Sequence, residues 1–501
     1  MSYKSYPVTK TNLNYEGYEV KINGQRVDLD TARVSKEPFN RRWPGHQRSI
    51  DQSELINFLC LEADEPIEFE ITPKESFEKV EIRPKSLGIK PIVQNGTIKF
   101  TLESPKYFTV EPYGRHNALH IFVDPVKEYD IDKSDENVIY FGEGEHDAGI
   151  IELKSNQTLF IDKGAVVYAS VRATDSENIK IVGRGILDNS KNTETILYEE
   201  NAENNDEAVN NAERLHTVQI EYSDNIYIEG ITIRDSLVYN IRPMACENIK
   251  IENVKIIGCW RYNSDGIDMH NCIGVDISNC FIRTYDDSIC VKGFDCYYEG
   301  DVEKAVHDAM YRNGKAYDVF KNVRVSNVVI WNDWGRCLEI GAETRAEEIS
   351  DIVFENSDAI HVMHSVLDCQ NVDYAFVHDI TYKNIRVEYD DIIPEPILQR
   401  SDRHEYAICD KDYAPNIIEV GVSYHHEYSS PGRRGKCKDI KFEDIRLYGR
   451  QKPKFEFSGH SSENSVSSVT VKNFLWNDKL LKADDCEIKI GKFAENINIE
   501  F

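Results

Sequence analysis

The sequence predicts an all-β protein whose larger part is a right-handed parallel β-helix, a solenoid, preceded by an antiparallel β-sandwich. Three observations support this fold class. Ile and Val alternate with polar residues or form short runs, which is typical of strands. A seven-residue unit recurs from about residue 150 onward. Before that point, several short strand-like segments are separated by turn signals, which favours a sandwich.

Residues 1–125 are predicted to form the sandwich. The strand-like segment 18–22 is followed by Asn23-Gly24, a dipeptide typical of tight hairpins. Alternation returns in four further segments, 66–71, 79–83, 97–101 and 118–122. Residues 126–150 are predicted to be a connector, and residues 151–501 the β-helix that carries the functional site.

The recurring unit has two polar residues, then alternating β-branched and polar residues, then Asn or Gly. It begins at residues 177, 224, 247, 273, 321, 350, 378, 438 and 467. The steps of 23 to 60 residues fit one or two solenoid turns, some with loop insertions. A stack of unrelated sandwiches would explain the final Asn poorly. That Asn is expected to occupy turns and to stack on its counterparts at Asn253, Asn279, Asn327, Asn356, Asn384 and Asn473.

Two insertions interrupt the repeat and are expected to flank a groove. Residues 188–213 are rich in Asn and Glu, and residues 294–320 contain a possible helical pattern. Long loops on a rigid scaffold often carry function.

Charge and composition limit the partners. The net charge of −28 argues against nucleic acid, which requires clustered Lys and Arg. No apolar run approaches the roughly 18 residues of a membrane span, so no membrane partner is expected. The first ten residues lack the apolar core of a secretory signal, and the 12 cysteines form no C-x-x-C pair. We therefore expect a cytoplasmic protein with reduced thiols, or a secreted one if a leader has been removed. The oligomeric state is not predicted.

A cluster of carboxylates stands out at Asp265, Asp268, Asp286 and Asp287, on a segment that otherwise resembles buried sheet. Buried carboxylates are unfavourable unless they are paired with a counter-charge or have a role in binding or catalysis. Glycoside hydrolysis needs two carboxyl groups in unlike environments, one protonated and one ionised. Asp265, Asp286 and Asp287 are therefore the candidate catalytic residues. The structural alternative is that stacked acidic side chains only cap turns, and for Asp268 and Glu339 that alternative is equally good.

Aligning the repeats places Asp265, Asp287, Arg336 and His364 at equivalent positions on successive turns, which stack about 4.8 Å apart. Cations in such a column can bind a substrate carboxylate or hydroxyl groups, and aromatic rings nearby suit sugar stacking. Arg336 can equally be a structural partner of the Asp column, and each aromatic residue can equally belong to the core. The candidate substrate-binding residues are Asn263, Asp268, His270, Lys292, Arg336, Glu339, His364, Trp260, Tyr285 and Trp334.

The motif Asn-Ser-Asp-Gly-Ile-Asp at 263–268, followed by Asp-Asp-Ser-Ile at 286–289, resembles the signature of glycoside hydrolase family 28, the polygalacturonases, and of its clan relative family 49, the dextranases and isopullulanases. Residues 139–170 also resemble the first coil of family 28, while the sandwich before the helix is more similar to family 49. The resemblance implies an inverting hydrolase of a poly- or oligosaccharide. It also implies that Asp286 is the acid, that Asp265 and Asp287 activate water, and that no metal or organic cofactor is needed.

Two departures from family 28 concern the substrate. Gly335-Arg336-Cys337 stands where the family usually has Gly-His-Gly, and 361–364 reads His-Val-Met-His where the family has a uronate-binding Arg-Ile-Lys. A uronate at the cleavage site is therefore not implied.

Two rival functions stay open: a polysaccharide lyase with calcium on the Asp residues and Arg336 as base, and a non-catalytic glycan-binding β-helix. An unsaturated product and sensitivity to chelators would identify the lyase, and absence of turnover the binding protein.

Overall fold

The computed structural model describes residues 3–36, 39–41, 50–191, 216–294, 302–393, 395, 397–399, 413–426 and 428–501. Regular structure in these residues is nearly all β-strand. The exceptions are the α-helix Val302–Met310 and the 3-10 turns Ile50–Gln52, Lys85–Leu87 and Ala483–Asp485. The α-helix lies in the insertion predicted at 294–320. Residues 295–301 of that insertion, and 192–213 of the insertion predicted at 188–213, lie outside the described residues.

The N-terminal region consists of two sheets whose inner faces share one apolar core. Sheet A contains the strands Tyr3–Ser5, Asp30–Ser35, Ser53–Ala63, Glu81–Arg83, Tyr107–Arg115 and Leu119–Asp124. Sheet B contains Tyr18–Ile22, Gln25–Val27, Ile67–Pro73, Ile92–Gln94 and Thr97–Leu102. The predicted hairpin at Asn23-Gly24 is confirmed, with φ values of 49° and 77° that suit a tight turn between twisted strands.

One strand pairing in the predicted antiparallel sandwich is parallel. Leu119–Asp124 runs parallel to Ser53–Ala63 in the middle of sheet A. A parallel pair requires a long crossover, and here the chain between the two strands first forms most of sheet B.

Three stacks of parallel strands form the β-helix. Sheet 1 contains Val138–Phe141, Thr158–Ile161, Glu177–Gly183, Asp224–Glu229, Glu247–Glu252, Ile273–Ser278, Val319–Ser326, Glu348–Glu355, Phe376–Lys383, Lys436–Glu443, Val466–Lys472 and Ala494–Ile499. Sheet 2 contains Ile186–Asp188, Thr232–Arg234, Lys255–Ile256, Phe281–Thr284, Val329–Asn332, Asp358–His361, Arg386–Glu388, Arg446–Tyr448 and Leu475–Trp476. Sheet 3 contains Val218–Glu221, Ile241–Met244, Ile267–His270, Ile289–Lys292, Leu338–Ile340, Ser365–Asn371, Asn416–Val422, Lys454–Ser458 and Glu487–Ile490.

The strands Gly144–Glu152 and Ala165–Thr174 pair with each other, and the second continues into both sheet 2 and sheet 3. Sheet 1 already begins at Val138, so the β-helix starts within the stretch predicted as a connector rather than at residue 151. Three short strand pairs complete the described elements: Tyr311–Arg312 with Lys315–Ala316, Ile397–Gln399 with Phe39–Arg41, and Lys479–Leu480 with Leu475–Trp476.

All nine repeat units lie on sheet 1. The final Asn of the unit is in the left-handed region, as expected for a turn, with φ of 51–55° at the six predicted positions. Asn384 donates to the Oδ1 atom of Asn356 at 2.7 Å, so side-chain stacking occurs between these two turns. A second left-handed position, which the sequence reading did not identify, is the second residue of each unit, for example Asn178 and Asn225.

The N-terminal region packs against sheet 2 of the β-helix through apolar and charged contacts. The rings of Phe122 and Phe281 lie 5.0 Å apart across this interface. Lys255 of sheet 2 places its Nζ atom 2.9 Å from the Asp124 carboxylate of sheet A, and both side chains are buried. Sheet 2 is therefore covered, whereas the predicted carboxylates lie in sheet 3 or directly before its strands.

Two further properties follow from the described residues. None of their helices is long and apolar enough to cross a membrane. The ten described cysteines are all free, and nine of them are buried, where a free thiol packs as a small apolar residue.

Candidate active site

Four neighbouring strands of sheet 3 fix the register of the site: Ile267, Ile289, Leu338 and Leu367 are paired in sequence across them. Just before these strands, backbone N–H groups donate to Asp287 O at 2.8 Å, to Arg336 O at 2.8 Å and to Ser365 O at 3.1 Å. The column therefore reads Asp265, Asp287, Arg336 and Ser365. The prediction of His364 in the fourth position was wrong by one residue, because the last strand enters the sheet one residue later than the motif alignment assumed.

The three predicted catalytic carboxyls come together. Three carboxyl oxygens, one each from Asp265, Asp286 and Asp287, lie within 4.8 Å of one another. These residues are 2%, 7% and 7% exposed, respectively. A small opening to solvent is thus left at Asp286 and Asp287, as a reacting group requires.

The environments of Asp286 and Asp287 differ in the way that acid–base chemistry needs. Burial and the neighbouring Asp287 carboxylate raise the pKa of Asp286 to about 8. Burial also opposes ionisation of Asp287, but Arg336 and Lys292 outweigh it and lower the pKa of that carboxyl. The Arg336 backbone N–H also donates to Asp287 Oδ1 at 2.8 Å. Near neutral pH, Asp286 therefore carries a proton while Asp287 is ionised.

Asp265 behaves like Asp286 rather than like Asp287. Burial, together with the carboxyls of Asp268 and Asp286, raises the pKa of Asp265 well above its usual range. Of the two residues predicted to activate water, only Asp287 has its pKa lowered. The physical reason is that Arg336 lies next to Asp287.

Lys292, predicted to bind substrate, is the internal counter-ion of the cluster. Its Nζ atom lies 2.9 Å from Asp268, 3.5 Å from Glu343, 3.8 Å from Asp265 and 3.9 Å from Asp287. Burial alone would lower the pKa of Lys292, but these carboxylates raise it well above its usual value. The ammonium group is therefore permanently charged and holds several of the carboxyls in place.

Arg336 performs the same task on the other side of Asp287. Its guanidinium nitrogens lie 2.6 Å from Asp368, 3.6 Å from Glu339 and 3.9 Å from Asp287. Burial raises the pKa of both Glu339 and Asp368 well above the usual range, and Arg336 partly offsets this. The structural alternative, that Arg336 stabilises the acidic column, is thus what the contacts support. Glu339 lies in a neighbouring column, paired with Cys290 on one adjacent strand and with Asp368 on the other.

The remaining polar candidates differ in how they could meet a ligand. Burial and the nearby Arg336 lower the pKa of His364 to about 4, so its imidazole is neutral near pH 7. His270 is buried and its Nδ1 atom contacts the Gly293 carbonyl oxygen at 2.8 Å, which gives it a packing role. Asn263 is half-buried in the turn before Asp265, with a φ of 54°.

The predicted aromatic platform is mostly internal. Tyr285 is fully buried in the core of the β-helix, and Trp260 is buried with its Nε1 atom donating to Asp235 at 2.9 Å. These two rings are therefore unavailable to a sugar, contrary to the prediction. Trp334 is half-buried and stacks on Tyr285 with ring centroids 5.9 Å apart. It is the one of the three that can still contact substrate.

Sequence reasoning missed residues that position the catalytic pair. The Asn332 amide donates to Asp286 O at 2.7 Å, to Arg336 O at 3.1 Å and to Ser288 Oγ at 3.1 Å, which holds the loop before Asp287. No sequence signal marks this residue. Asp368, by contrast, could have been found by extending the sheet register from Glu339 to the next turn.

Gly335 allows the backbone to pass close to the catalytic pair. A Cβ atom there would lie 2.5 Å from both Asp286 C and Asp287 N. We expect Gly335→Ala to lower the free energy of unfolding by about 1–3 kcal/mol and to reduce kcat by displacing both carboxyls. Urea unfolding and initial rates measure these effects. The matched control is Gly421→Ala in sheet 3, where the added atom's nearest neighbour is 3.9 Å away. Equal effects of the two variants would contradict the assignment.

Two groups of side chains have the spacing of possible cation ligands: Asp265, Asp286 and Asp287, and also Asp287, Cys290 and Glu339. A divalent cation at the first group would have to displace the positive charge of Lys292, 3.8 Å from Asp265 and 3.9 Å from Asp287. The arrangement instead resembles an acid–base site whose counter-charges are supplied by Lys292 and Arg336.

Comparisons with known proteins agree with this geometry. The model of glycosyl hydrolases family 28 matches residues 146–466. A polygalacturonase of Gossypium barbadense is 33% identical over 317 residues, covering 58% of this chain and 72% of the relative. A probable polygalacturonase of Vitis vinifera is 27% identical over 184 residues, covering 32% of this chain and 38% of that protein.

Two solved structures share the fold along almost the whole chain. Dex49A from Penicillium minioluteum has a TM-score of 0.60 at 12% identity, covering 98% of this chain and 96% of its own. The family 28 exopolygalacturonase of Yersinia enterocolitica has a TM-score of 0.54 at 12% identity, covering 94% and 98%. The family match extends over more than half of the chain and includes every catalytic candidate. The chain belongs to glycosyl hydrolases family 28 and is an O-glycoside hydrolase of polysaccharides on a parallel β-helix.

Proposed function

We propose that Asp286 is the general acid of this hydrolase and that Asp287, assisted by Asp265, activates the attacking water. The observation that carries the proposal is the opposite shift in pKa of two adjacent carboxyls whose oxygens lie within 4.8 Å. A protonated and an ionised carboxyl side by side are what general acid–base cleavage of a glycosidic bond requires.

In the proposed step, the water oxygen bonds to the anomeric carbon while the bond to the leaving oxygen breaks. Asp286 gives its proton to the leaving oxygen, and Asp287 accepts a proton from the water. The two carboxyls thereby exchange protonation states, and exchange with solvent restores the starting state. Lys292 and Arg336 keep Asp287 ionised before the step, and Asp265 can hydrogen-bond to the same water.

Inversion of the anomeric centre is part of the proposal and rests on the resemblance to family 28. The spacing within 4.8 Å is shorter than the roughly 6.5–9.5 Å that inverting enzymes usually keep between their carboxyls, and is nearer the value for retaining enzymes. Proton NMR of the first product anomer decides between them. A product of inverted configuration is expected, and a retained configuration would show that one carboxylate acts as a nucleophile.

The pKa of Asp286 predicts the basic limb of the pH profile. Since burial and Asp287 raise that pKa to about 8, the proton for the leaving group is present below this pH and is lost above it. We expect kcat/KM to fall as the pH rises through about 8, and a profile of initial rates from pH 4 to 10 measures this. A rate that falls already between pH 4 and 5 as the pH rises would exclude Asp286 as the acid.

We further propose that the sugar on the cleaved bond is neutral, as the departures from the family motif allow. Lys292 and Arg336, the cations beside the catalytic carboxyls in the described part of the chain, are already paired with acidic side chains at 2.9 Å and 2.6 Å. His364 is neutral near pH 7 because its pKa is lowered to about 4. A uronate carboxylate would therefore find no free counter-charge among these residues, whereas hydroxyl groups could bind the same atoms.

A reducing-end assay tests both the activity and this substrate class. Rhamnogalacturonan, dextran and pullulan oligomers are compared with polygalacturonate, with and without chelator. We expect chelator-insensitive cleavage of a substrate with a neutral sugar at the bond. Preferred cleavage of polygalacturonate, the substrate named for the cotton relative, would overturn the neutral-sugar proposal while leaving the catalytic roles intact. Binding without turnover of any substrate would instead favour the glycan-binding protein.

A further inference from the structure

A cavity lies in the N-terminal region, against sheet 2 and not sheet 3. Its volume is about 430 Å³, within the roughly 300–1,000 Å³ of typical small-molecule sites. Its lining comes from the segment 8–16, from strands of sheets A and B, and from Arg234 of the β-helix. The catalytic carboxyls are not part of it.

The segment that covers this cavity is fixed at both ends. The Thr9 hydroxyl donates to Gly164 O at 2.5 Å. At the other end, the Asn57 amide donates to Tyr15 O at 2.7 Å and the Tyr15 N–H donates to Thr31 Oγ1 at 3.2 Å. The segment therefore forms a defined wall of the cavity.

A buried guanidinium in the lining has capacity for a ligand. Arg234 is 1% exposed; its Nε atom donates to Asp188 at 2.6 Å and its Nη1 atom to Thr31 O at 2.9 Å. Its Nη2 atom is buried and has no hydrogen-bond partner among the described residues. A buried charged donor without an acceptor is unfavourable, so a small shift of the guanidinium toward an acceptor atom in the cavity would be favourable. Asp30, also in the lining, has its pKa raised to about 7 by burial and can accept or donate a hydrogen bond.

The lining as a whole is polar but carries no excess charge. Its cations are balanced in number by its acids: Lys10, Arg26, Lys74 and Arg234 against Glu16, Glu19, Asp28 and Asp30. Thr and Asn side chains add neutral hydrogen-bonding groups, and Leu13 and Tyr15 add apolar surface. Such a mixture suits a molecule with many hydroxyl groups, C–H faces and no net charge.

We propose that this cavity is a second carbohydrate site, which binds a neutral sugar residue independently of the catalytic groove. Arg234 and Asp30 would bind its hydroxyl groups, and Leu13 and Tyr15 would contact its apolar face. The proposal does not depend on the acid–base roles assigned at sheet 3, because the two sites share no residue. Its consequence is that a neutral side chain or chain end of a polysaccharide is held while another part is cleaved.

Two variants of the covering segment test the proposal. Asn14 is exposed and lines the cavity, while Asn12 is exposed on the same segment and does not line it. Asn14→Trp is designed to fill the entrance, and Asn12→Trp is its matched control. Saturation-transfer NMR is recorded with galactose, rhamnose, arabinose and glucose, with galacturonate as an anionic comparison and glycine as a zwitterionic one. A third variant, Asp30→Asn, keeps the volume and removes the carboxylate.

We expect at least one neutral sugar to give a signal that is lost in Asn14→Trp and kept in Asn12→Trp. In Asp30→Asn, the affinity for the same sugar should be about tenfold weaker. Cleavage of a short oligosaccharide should stay within about twofold in Asn14→Trp, which separates this test from the fate of the catalytic proposal. The proposal is overturned if Asn14→Trp removes no sugar signal, or if only galacturonate or glycine shows the required pattern.

Discussion

Replacing Asp286 by Asn is expected to lower kcat by about 10²–10⁴-fold, with little change in KM, because the leaving oxygen then departs without a proton. Asn has nearly the shape of Asp, and the Asp287 N–H can still donate to its side-chain oxygen, a contact of 3.1 Å in the wild type. Initial rates over a range of substrate concentrations measure both constants. The basic limb near pH 8 should also disappear from the residual activity.

A good leaving group separates lost acid catalysis from a lost fold. An aryl glycoside with an acidic phenol needs no proton on departure, so Asp286→Asn should cleave it far closer to the wild-type rate than it cleaves a sugar–sugar bond. Asp276→Asn, an exposed position on sheet 1, is the control and should match the wild type on both substrates. Equal losses of Asp286→Asn on both substrates would contradict the role of acid.

Replacing Lys292 by Met is expected to lower the free energy of unfolding by about 3–5 kcal/mol, because removal of one partner leaves buried charge uncompensated. Four carboxyls lie within 4 Å of its Nζ atom. Without it, the pKa values of Asp268 and Asp265, already raised, rise further. A carboxyl with a raised folded-state pKa makes stability fall as the pH rises toward that pKa. Urea unfolding should therefore show a loss that grows as the pH rises above about 4, the ordinary pKa of a carboxyl group.

The control for Lys292 is Lys250→Met on sheet 1. Lys250 pairs with Glu252 at 2.8 Å but is 50% exposed, and pairs of this kind contribute about 1 kcal/mol or less. The free energy of unfolding could instead fall by no more in Lys292→Met than in the control, and by the same amount at every pH. That result would show that the carboxyl cluster is neutral without its ammonium group.

Much of the fold could be predicted from the sequence, because a parallel β-helix repeats the same physical requirement on every turn. The β-branched positions of each unit enter the core, and the final Asn occupies the left-handed turn, so both leave a periodic trace. The beginning of the helix could not be placed in this way. Val138–Phe141 pairs with the next coil although Val-Ile-Tyr-Phe lacks the repeat's alternation of β-branched and polar residues.

The residues of the candidate site could be predicted where they follow the repeat of the β-helix, and less well elsewhere. Asp265 and Asp287 align because their strands align. To place the fourth residue of the column, which was predicted to be His364, the length of an irregular segment must be known, and no periodic pattern reveals it. Tyr285 is close in sequence to the acids, but closeness does not say which side of the strand a ring occupies. The opposite pKa shifts of Asp286 and Asp287 depend on burial and on Arg336 across the sheet, which are properties of three-dimensional packing.

The buried contact between Lys255 and Asp124 has a mechanical consequence for how substrate reaches the groove. To swing the N-terminal region away from sheet 2 would leave an ammonium group and a carboxylate without partners, and would separate the rings of Phe122 and Phe281. The N-terminal region is therefore held firmly against sheet 2 and does not move as a hinged lid would. Substrate therefore reaches the carboxyls beside sheet 3 without a hinge motion of this region.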